Sequence, residues 1–352
     1  MTDLSLSLEQ FSFEYPSELV AQEPAKPRGS SRLMALRSDG IDELSRFSDL
    51  DKYLRPGDVL VLNQTKVLKA RVRAQRPTGG KVELLFERPV ESQGHVDTLR
   101  WLALARPAKS LKEGNQLLCG DFRLEVGPRH GMFVEIGLPV EPEDFFPNVG
   151  RLPLPPYITR DTSVTDDEDY QPIFAAEPGA VAAPTASLHF TQEHLNRLID
   201  SGIITTSLVL HVGAGTFLPV RREHADDIRE HEMHRERYEL PLETVETIEK
   251  AKREGRRVIA VGTTAVRALE SYGQSGERRG DTSLFIYPGY KFKFVDALIT
   301  NFHQPKTTLL MMVSAFAGRD RILSAYHRAI EEKYRLFSYG DAMFVEHSLK
   351  AD

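Results

Sequence analysis

The chain has 352 residues, of which 41% are hydrophobic and 27% are charged, a composition that supports one large core or two cores and excludes a disordered or low-complexity chain. The formal net charge of -6 excludes nucleic-acid binding through a global positive field, so any RNA contact must be local. The single cysteine, Cys119, excludes an intrachain disulfide and a cysteine-rich metal or iron–sulfur site, and we expect it to be a small buried residue on a strand.

Nothing near the N-terminus predicts export. Residues 1–10 lack the basic and apolar regions of a signal peptide. The longest apolar run, 309–316, is too short to span a bilayer. We therefore expect a cytoplasmic location and no membrane contact.

A block of alternating apolar and polar residues extends from Val59 to about Val140. Alternation over 68–75 and 81–86 predicts strands, and two more strands, 122–126 and 133–136, flank a turn predicted at 127–131. Alternation interrupted by such turns is typical of antiparallel hairpins. The block therefore predicts a small barrel or sandwich.

After Pro153 the pattern changes to repeated strand–turn–helix units. Thr191 is placed to cap a helix that ends near Gly202, and the run 203–212 predicts a buried strand. Further strands are predicted at 258–261 and 295–300, each followed by a helix. Such units predict an α/β layer with parallel strands.

Residues 1–60 resemble neither block alone, and we expect them to pack with the α/β part. The predicted organisation is a discontinuous mixed α/β domain, residues 1–64 and 151–352, with an inserted all-β, barrel-like domain at residues 65–150.

Three segments place glycine or polar residues just after an apolar strand: 210–216, 261–264 and 300–303. In α/β sheets this edge is where ligands bind. Thr263 and Thr264 are expected at a helix N-terminus, which suits a carboxylate or ribose hydroxyls. Each segment alone is better explained by turn glycines and an ordinary N-cap, but the three together favour a site. No complete phosphate-binding or dinucleotide-binding motif is present.

The small, apolar, proline-containing stretch 179–190 precedes a helix. Small side chains suit a loop that covers a flat ligand such as adenine. A tightly packed connection explains the stretch equally well, and His189 within it is open to interpretation as a buried core histidine.

Three histidines, His224, His231 and His234, lie near Glu232 and Glu236. A helix would place His231 and His234 on one face. The zinc-protease spacing is absent, so we expect no metal. A solvated charged helix and an acid–base role both remain open.

A basic stretch without acidic residues extends from Lys66 to Lys81. If it forms one strand, Lys69, Arg71 and Arg73 share a face. Contact with RNA phosphates is the functional interpretation, and a solvated strand face is the alternative.

Together these segments carry a resemblance. The chain resembles the S-adenosylmethionine:tRNA ribosyltransferase-isomerases of queuosine biosynthesis nearly end to end. The matching blocks are 56–67, 152–158, 170–171, 179–190, 210–217, 231–238, 258–267, 296–310, 314–318 and 337–344. Ser187, Gln304 and Lys306 depart from the usual family residues.

The resemblance implies transfer of the ribosyl group of S-adenosylmethionine to the aminomethyl-deazaguanine at the tRNA wobble position. The products are epoxyqueuosine, adenine and methionine. It also implies a discontinuous α/β domain with an inserted β-barrel. The implied partners are tRNA and S-adenosylmethionine, a co-substrate, with no cofactor and no metal. We expect a monomer.

Proton removal beside a sulfonium and protonation of departing adenine require groups that titrate near neutral pH. The catalytic candidates, with no individual roles assigned, are His189, His211, His231, His234, His303 and Asp341. The candidates for S-adenosylmethionine binding are Pro184, Thr185, Gly213, Gly215, Thr216, Thr263, Thr264, Arg267 and Asn301. The candidates for tRNA binding are Asn63, Lys66, Lys69, Arg71 and Arg73.

Two other classes of protein compete with this interpretation. A non-catalytic RNA-binding protein has no reason to place polar groups after three strands. An S-adenosylmethionine-dependent RNA methyltransferase normally has a glycine-rich loop after its first strand, whereas the first long block here is β-hairpins.

Overall fold

The computed structural model describes residues 6–40, 42–92, 94–217 and 225–347. Its strands are β1 Arg32–Leu36, β2 Asp42–Arg46, β3 Val59–Asn63, β4 Thr65–Val67, β5 Arg71–Gln75, β6 Lys81–Ser92, β7 His95–Arg106, β8 Gln116–Cys119, β9 Phe122–His130, β10 Phe133–Gly137, β11 Gly150–Arg151, β12 Glu177–Ala180, β13 Ile204–Leu210, β14 Glu236–Glu239, β15 Val258–Val261, β16 Arg279–Thr282, β17 Ala297–Asn301 and β18 Ala342–Glu346.

The α-helices are α1 Pro142–Val149, α2 Asp166–Asp169, α3 Gln192–Asp200, α4 Leu242–Arg253, α5 Thr263–Ser275, α6 Thr308–Ala317 and α7 Arg319–Glu331. Among the described residues, no helix is long and apolar enough to cross a membrane.

A nine-stranded mixed sheet forms the α/β part, in the order β16-β14-β13-β3-β15-β17-β18-β1-β2. Its centre is parallel, because β3 pairs in parallel with both β13 and β15, and β15 with β17. Side chains of β3 alternate between two cores: Val59 and Val61 pack on one face, and Leu60 and Leu62 on the other. Such two-sided burial explains why the parallel strands are continuous apolar runs.

Strands from both ends of the chain share this sheet. The first sixty residues contribute β1, which lies beside β18, and β3, which lies between β13 and β15. The expectation that the N-terminal residues pack with the α/β part is confirmed.

The inserted β block closes into a barrel. Its strands follow the order β5-β6-β7-β10-β9-β8, and β8 pairs back to β5 through Leu118 and Gln75. Its core holds Phe86, Trp101 and Phe146, whose rings meet edge to face at centroid distances of 5.1–6.3 Å. The predicted fold class is therefore confirmed. The domain boundaries at 64/65 and 150/151 stay a prediction, since β4 pairs with β12 rather than with a barrel strand.

Helix boundaries follow local sequence signals. The Thr191 side chain accepts a hydrogen bond from the His194 amide at the start of α3, as predicted. Gly202 follows α3 at φ +88°, a conformation that favours glycine. Gly262, also at φ +88°, immediately precedes α5.

Three local expectations are wrong. β9 continues through the turn predicted at 127–131 and ends at His130, because Gly127 sits opposite Glu135 in a bulged ladder. His231 and His234 do not lie on a helix, since a short turn at Ile228–Glu230 is followed by an irregular stretch that leads into β14. Lys69 precedes β5 and so is not on the strand of Arg71 and Arg73.

Cys119 lies on β8 and is buried, as expected. Burial raises the pKa of its thiol to about 11. The residue therefore stays a protonated, apolar part of the barrel core at neutral pH.

Candidate active site

The carboxyl ends of β13, β15 and β17 meet at one cavity, here called the sheet-edge cavity. It opens to solvent at its mouth. The cavity brings together these predicted ligand-binding and catalytic residues: Pro184, Thr185, Thr216, Thr263, Thr264, Arg267, Asn301 and His303. The three segments recognised in the sequence thus converge at one edge of the sheet, where such ligands bind.

The base of the sheet-edge cavity is held by Asn63. Its Nδ2 donates to Thr264 Oγ1 at 3.1 Å and to the Leu210 carbonyl at 3.0 Å, while its Oδ1 accepts from the Leu210 amide. Asn63 is fully buried. The prediction that it contacts tRNA is therefore wrong, because its amide cross-links β3 and β13 and fixes Thr264.

Asn301 links the cavity to His189. Its Nδ2 donates to the Phe337 carbonyl at 3.1 Å, which fixes the orientation of the amide, and lies 3.2 Å from His189 Nε2. Nε2 therefore accepts, and the proton on Nδ1 points to Ser31 Oγ at 2.8 Å. Asn301 Oδ1 is buried and has no hydrogen-bond partner among the described residues, so it is available to a ligand hydroxyl or amine.

Two buried histidines at this site are neutral. Burial lowers the pKa of His189 to about 4 and that of His303 to about 3. His303 Nε2 lies 2.8 Å from Thr300 Oγ1, and its ring is part of the cavity wall. At neutral pH both imidazoles are proton acceptors rather than donors. His189 does not reach the cavity and acts on it only through Asn301.

Arg267 also lines the sheet-edge cavity, but protein groups occupy its guanidinium. It forms a buried ion pair with Glu236 and donates to the Leu284 carbonyl at 3.3 Å. Glu236 in turn accepts from the Gly213 amide at 3.1 Å. The pair therefore connects α5 to the glycine loop 213–216.

The glycines of this loop face side chains rather than the sheet-edge cavity. A Cβ on Gly213 would lie 2.2 Å from Glu87 Oε1, and one on Gly215 would lie 2.5 Å from His234 Cδ2. Gly213 and Gly215 were predicted to leave room for S-adenosylmethionine. The structure instead shows that they leave room for Glu87 and His234.

His211 lies in the wall of a different cavity, between the barrel and the sheet, here called the barrel-side cavity. His211 Nδ1 lies 2.8 Å from Thr65 Oγ1, and burial lowers the pKa of its imidazole to about 4, with a smaller effect of Arg237. Gly179 packs against the ring so closely that a Cβ would lie 2.6 Å from Cε1. The imidazole is therefore fixed in orientation and neutral.

Glu87 of the barrel was missed by the sequence analysis. Its carboxyl is buried and accepts from the Ala214 amide at 2.5 Å. Burial raises its pKa to about 7, and the nearby Glu236 acts in the same direction. The alternation of β6 suggested an ordinary barrel strand, and no spacing in the sequence relates residue 87 to the loop at 213–216.

Tyr157 and Tyr170 were also missed as lining residues of the sheet-edge cavity. Tyr157 donates or accepts at 2.6 Å with Ser338 Oγ, and its ring packs against Phe337 at 5.1 Å. The Tyr170 hydroxyl is buried without a partner among the described residues. Both tyrosines fall in family-like blocks of the sequence, which was the available signal.

Asp341, His231 and His234 lie outside the wall of the sheet-edge cavity. Asp341 accepts from the backbone amides of Arg32 and Arg335, each at 2.8 Å, and pairs with the Arg32 guanidinium. It thus joins the start of β1 to the segment before β18, outside the wall of the sheet-edge cavity. His231 packs against Phe285 at 5.4 Å, and His224 lies outside the described residues.

The predicted tRNA face is largely paired within the protein. Lys69 forms an ion pair with Asp167 at 2.7 Å, and Arg73 with Asp161 at 3.3 Å. Arg71 Nη2 donates to the Leu154 carbonyl at 3.3 Å. Lys66 is exposed on β4. The shared basic face expected for Lys69, Arg71 and Arg73 is therefore not formed.

A sequence model of the family described as "Queuosine biosynthesis protein" matches residues 8–345. The chain belongs to this family.

No group of three or more His, Cys, Asp or Glu side chains suited to holding a metal ion occurs among the described residues.

Relatives named "S-adenosylmethionine:tRNA ribosyltransferase-isomerase" match the queuosine family chain over nearly its full length. The protein of Herminiimonas arsenicoxydans is 49% identical, covering 96% of this chain and 98% of the relative. That of Polynucleobacter necessarius subsp. necessarius (strain STIR1) is 46% identical, covering 97% and 98%. The crystal structure of S-adenosylmethionine tRNA ribosyltransferase from Thermotoga maritima is 34% identical, with a TM-score of 0.54 and coverage of 96% and 99%.

Proposed function

We propose that this chain is an S-adenosylmethionine:tRNA ribosyltransferase-isomerase. It transfers the ribosyl group of S-adenosylmethionine to 7-aminomethyl-7-deazaguanine at the tRNA wobble position and releases adenine and methionine. The full-length similarity to relatives named for this activity carries the proposal. The tRNA and S-adenosylmethionine are both substrates, and we propose that the enzyme needs no cofactor.

S-adenosylmethionine occupies the sheet-edge cavity in this proposal. The orphaned Asn301 Oδ1 supports this placement, because it requires a hydrogen-bond donor that a ribose hydroxyl or an amine supplies. Thr263 and Thr264 begin α5, whose N-terminal amides suit the carboxylate of the methionine part. The rings of Tyr157, Tyr170 and Phe302 provide an aromatic wall for adenine and the sulfonium charge.

Proton transfer falls to neutral imidazoles around the two cavities. The sulfonium makes the protons of the adjacent ribose carbon acidic, so a base removes one of them. His303 lies in the wall of the sheet-edge cavity, and His211 in that of the barrel-side cavity. Both are unprotonated at neutral pH and can accept a proton, but their lowered pKa makes each a weaker base than a group that titrates near pH 7.

We further propose that the enzyme is a monomer and acts in the cytoplasm. The competing classes predict other products. An RNA methyltransferase converts S-adenosylmethionine to S-adenosylhomocysteine, and a non-catalytic RNA-binding protein leaves it intact.

The test is to incubate the protein with S-adenosylmethionine and an anticodon stem-loop that carries the aminomethyl-deazaguanine, and to separate the small molecules by chromatography. Free adenine in proportion to modified RNA is expected. A stem-loop with guanine at the wobble position is the control and releases none. S-adenosylhomocysteine, or the absence of any product, contradicts the proposal.

A further inference from the structure

The barrel-side cavity adjoins the sheet-edge cavity, and apart from His211 its lining has no part in the proposed reaction. Its walls come from both parts of the fold: Leu68, Pro89 and Trp101 from the barrel side, and Pro178, Gly179 and His211 from the α/β side. It opens to solvent at its mouth.

The two cavities share Val212 and Glu236 in their walls. Val212 and Glu236 therefore lie between the two cavities. The proposed reaction requires an amine on a short methylene arm to reach the ribose of the donor. If the acceptor base lies in the barrel-side cavity, its aminomethyl arm can extend past Val212 toward the donor in the sheet-edge cavity.

The lining of the barrel-side cavity suits a guanine-like base. Leu68, Pro89 and Trp101 supply apolar surface for a flat ring. Glu87 lies buried at its wall, and the Ala214 amide engages only Oε2. Its other oxygen, Oε1, lies beside Gly213, which also lines the cavity, and a carboxyl oxygen can accept from the N–H groups on the pairing edge of a deazaguanine.

The rim of the cavity suits an RNA backbone. Arg88, Arg235 and Arg237 are exposed there. Asp281 lies 4.0 Å from Arg88, whereas neither Arg235 nor Arg237 forms an ion pair with a described residue. Acidic side chains, Glu91 and Glu143, are also at the rim. Phosphates flanking an unstacked base would therefore meet the guanidinium groups of Arg235 and Arg237.

We infer that the barrel-side cavity binds the wobble base of the tRNA, turned out of the anticodon stack, with Arg235 and Arg237 on the adjacent phosphates. This inference rests on the proposed function, which supplies the acceptor base. It assigns the barrel a role in forming half of the acceptor site, and it places His211 on the acceptor side.

Filling the cavity tests the inference. Thr98 is exposed on β7 and lies in the cavity wall. Trp101 Nε1 donates a hydrogen bond to the backbone carbonyl of Thr98, so a change of the Thr98 side chain leaves this bond in place. Thr98→Trp is expected to raise the KM for the stem-loop at least tenfold and to leave S-adenosylmethionine affinity within about twofold. Gln116→Trp, at an exposed position of β8 outside the cavity wall, is the matched control and is expected to behave as the wild type.

The rim is tested by salt dependence. Arg237→Ala is expected to weaken stem-loop binding and to flatten the slope of log affinity against log salt by about one unit. Arg123→Ala, an exposed arginine on β9 of the barrel, is the matched control. Melting temperatures within about 2 °C of the wild type establish that all four variants are folded.

Two outcomes overturn the inference: unchanged stem-loop binding in Thr98→Trp and Arg237→Ala, or a loss of S-adenosylmethionine affinity in the same variants. Stem-loop binding is measured directly, without turnover, so its result does not depend on the proposed reaction. If the wild type binds the modified stem-loop but releases no adenine, the proposed reaction fails, and the binding of the variants still decides which molecule the cavity takes.

Discussion

The His234 ring occupies the space that a side chain on Gly215 would need, with Cδ2 2.5 Å from the position of a Cβ. The His234 ring by itself therefore accounts for glycine at position 215. The φ of Gly215 lies outside the left-handed region, so backbone strain does not enter the argument.

Gly215→Ala is expected to destabilise the protein by about 1–3 kcal/mol, since the added methyl overpacks against the imidazole. His234→Ala removes the ring that the new methyl group would contact. In the double variant, Gly215→Ala should therefore lower the free energy of unfolding much less. Chemical denaturation of the four proteins in this cycle measures the coupling. Additive losses would contradict the contact. Loss of S-adenosylmethionine affinity with stability unchanged would support the earlier view that Gly215 faces the donor.

Glu87 makes stability depend on pH. Its pKa is about 7 in the folded protein, against 4.5 for an ordinary glutamate. Because the folded pKa is raised, its contribution to stability is complete below pH 4.5 and is lost as pH rises through 7. Glu87→Gln, which stays neutral, should therefore gain stability relative to the wild type between pH 5 and 8, by roughly 1–3 kcal/mol. Melting curves of both proteins at pH 5 and pH 8 measure this gain. A stability difference between Glu87→Gln and the wild type that is the same at both pH values would contradict the raised pKa of Glu87.

His303 imposes the opposite dependence. Its folded pKa of about 3 lies below the ordinary 6.5, so the stability associated with its neutral ring is present above pH 6.5 and is lost as pH falls toward 3. Each pH unit below 6.5 costs about 1.4 kcal/mol for a fully buried histidine. His303→Gln should unfold at a lower pH than the wild type in an acid titration followed by circular dichroism. An unshifted acid transition would show that His303 is protonated within the fold.

The sequence predicted the parts of the fold that local chemistry determines. The apolar runs of β15 and β17 predicted buried strands, Thr191 predicted the start of α3, and period-two alternation predicted the barrel. β13 was predicted to be buried throughout, but its first residues, Ile204–Ser207, are exposed or half-buried. Convergence of three strand ends at one cavity was predicted because parallel strands share a carboxyl edge.

Long-range partners were the part that the sequence could not provide. Asn63 was interpreted from its basic neighbours, yet its partners are Leu210 and Thr264, far along the chain. Lys69 was predicted to lie free on a strand, but its charge is balanced by Asp167, 98 residues away. Gly213 was assigned to a ligand because no local pattern indicates Glu87 as the group beside it.

Asn301 offers a test of the donor site. Asn301→Ala removes the unpartnered Oδ1 and is expected to lower S-adenosylmethionine affinity at least tenfold, in the range of a lost buried hydrogen bond. Asn301→Asp keeps an oxygen acceptor and should retain affinity within a few fold. Both variants lose the donation to Phe337 and should melt at lower temperature. Calorimetry below the transition measures binding, and equal affinities for alanine and wild type would remove Asn301 from the site.

Arg71 and Arg73 provide the final test, because the structure separates roles that the sequence had joined. Arg71 Nη2 donates to Leu154, so Arg71→Ala should lower the melting temperature by a few degrees, equivalent to about 1 kcal/mol. Arg73 and Asp161 are both more than half exposed, and an exposed pair contributes about 0–1 kcal/mol, so Arg73→Ala should leave stability nearly unchanged. Because Asp161 already balances Arg73, its removal should also leave the salt slope of tRNA binding unchanged. A slope flattened by about one unit in Arg73→Ala would instead return this strand to the tRNA surface.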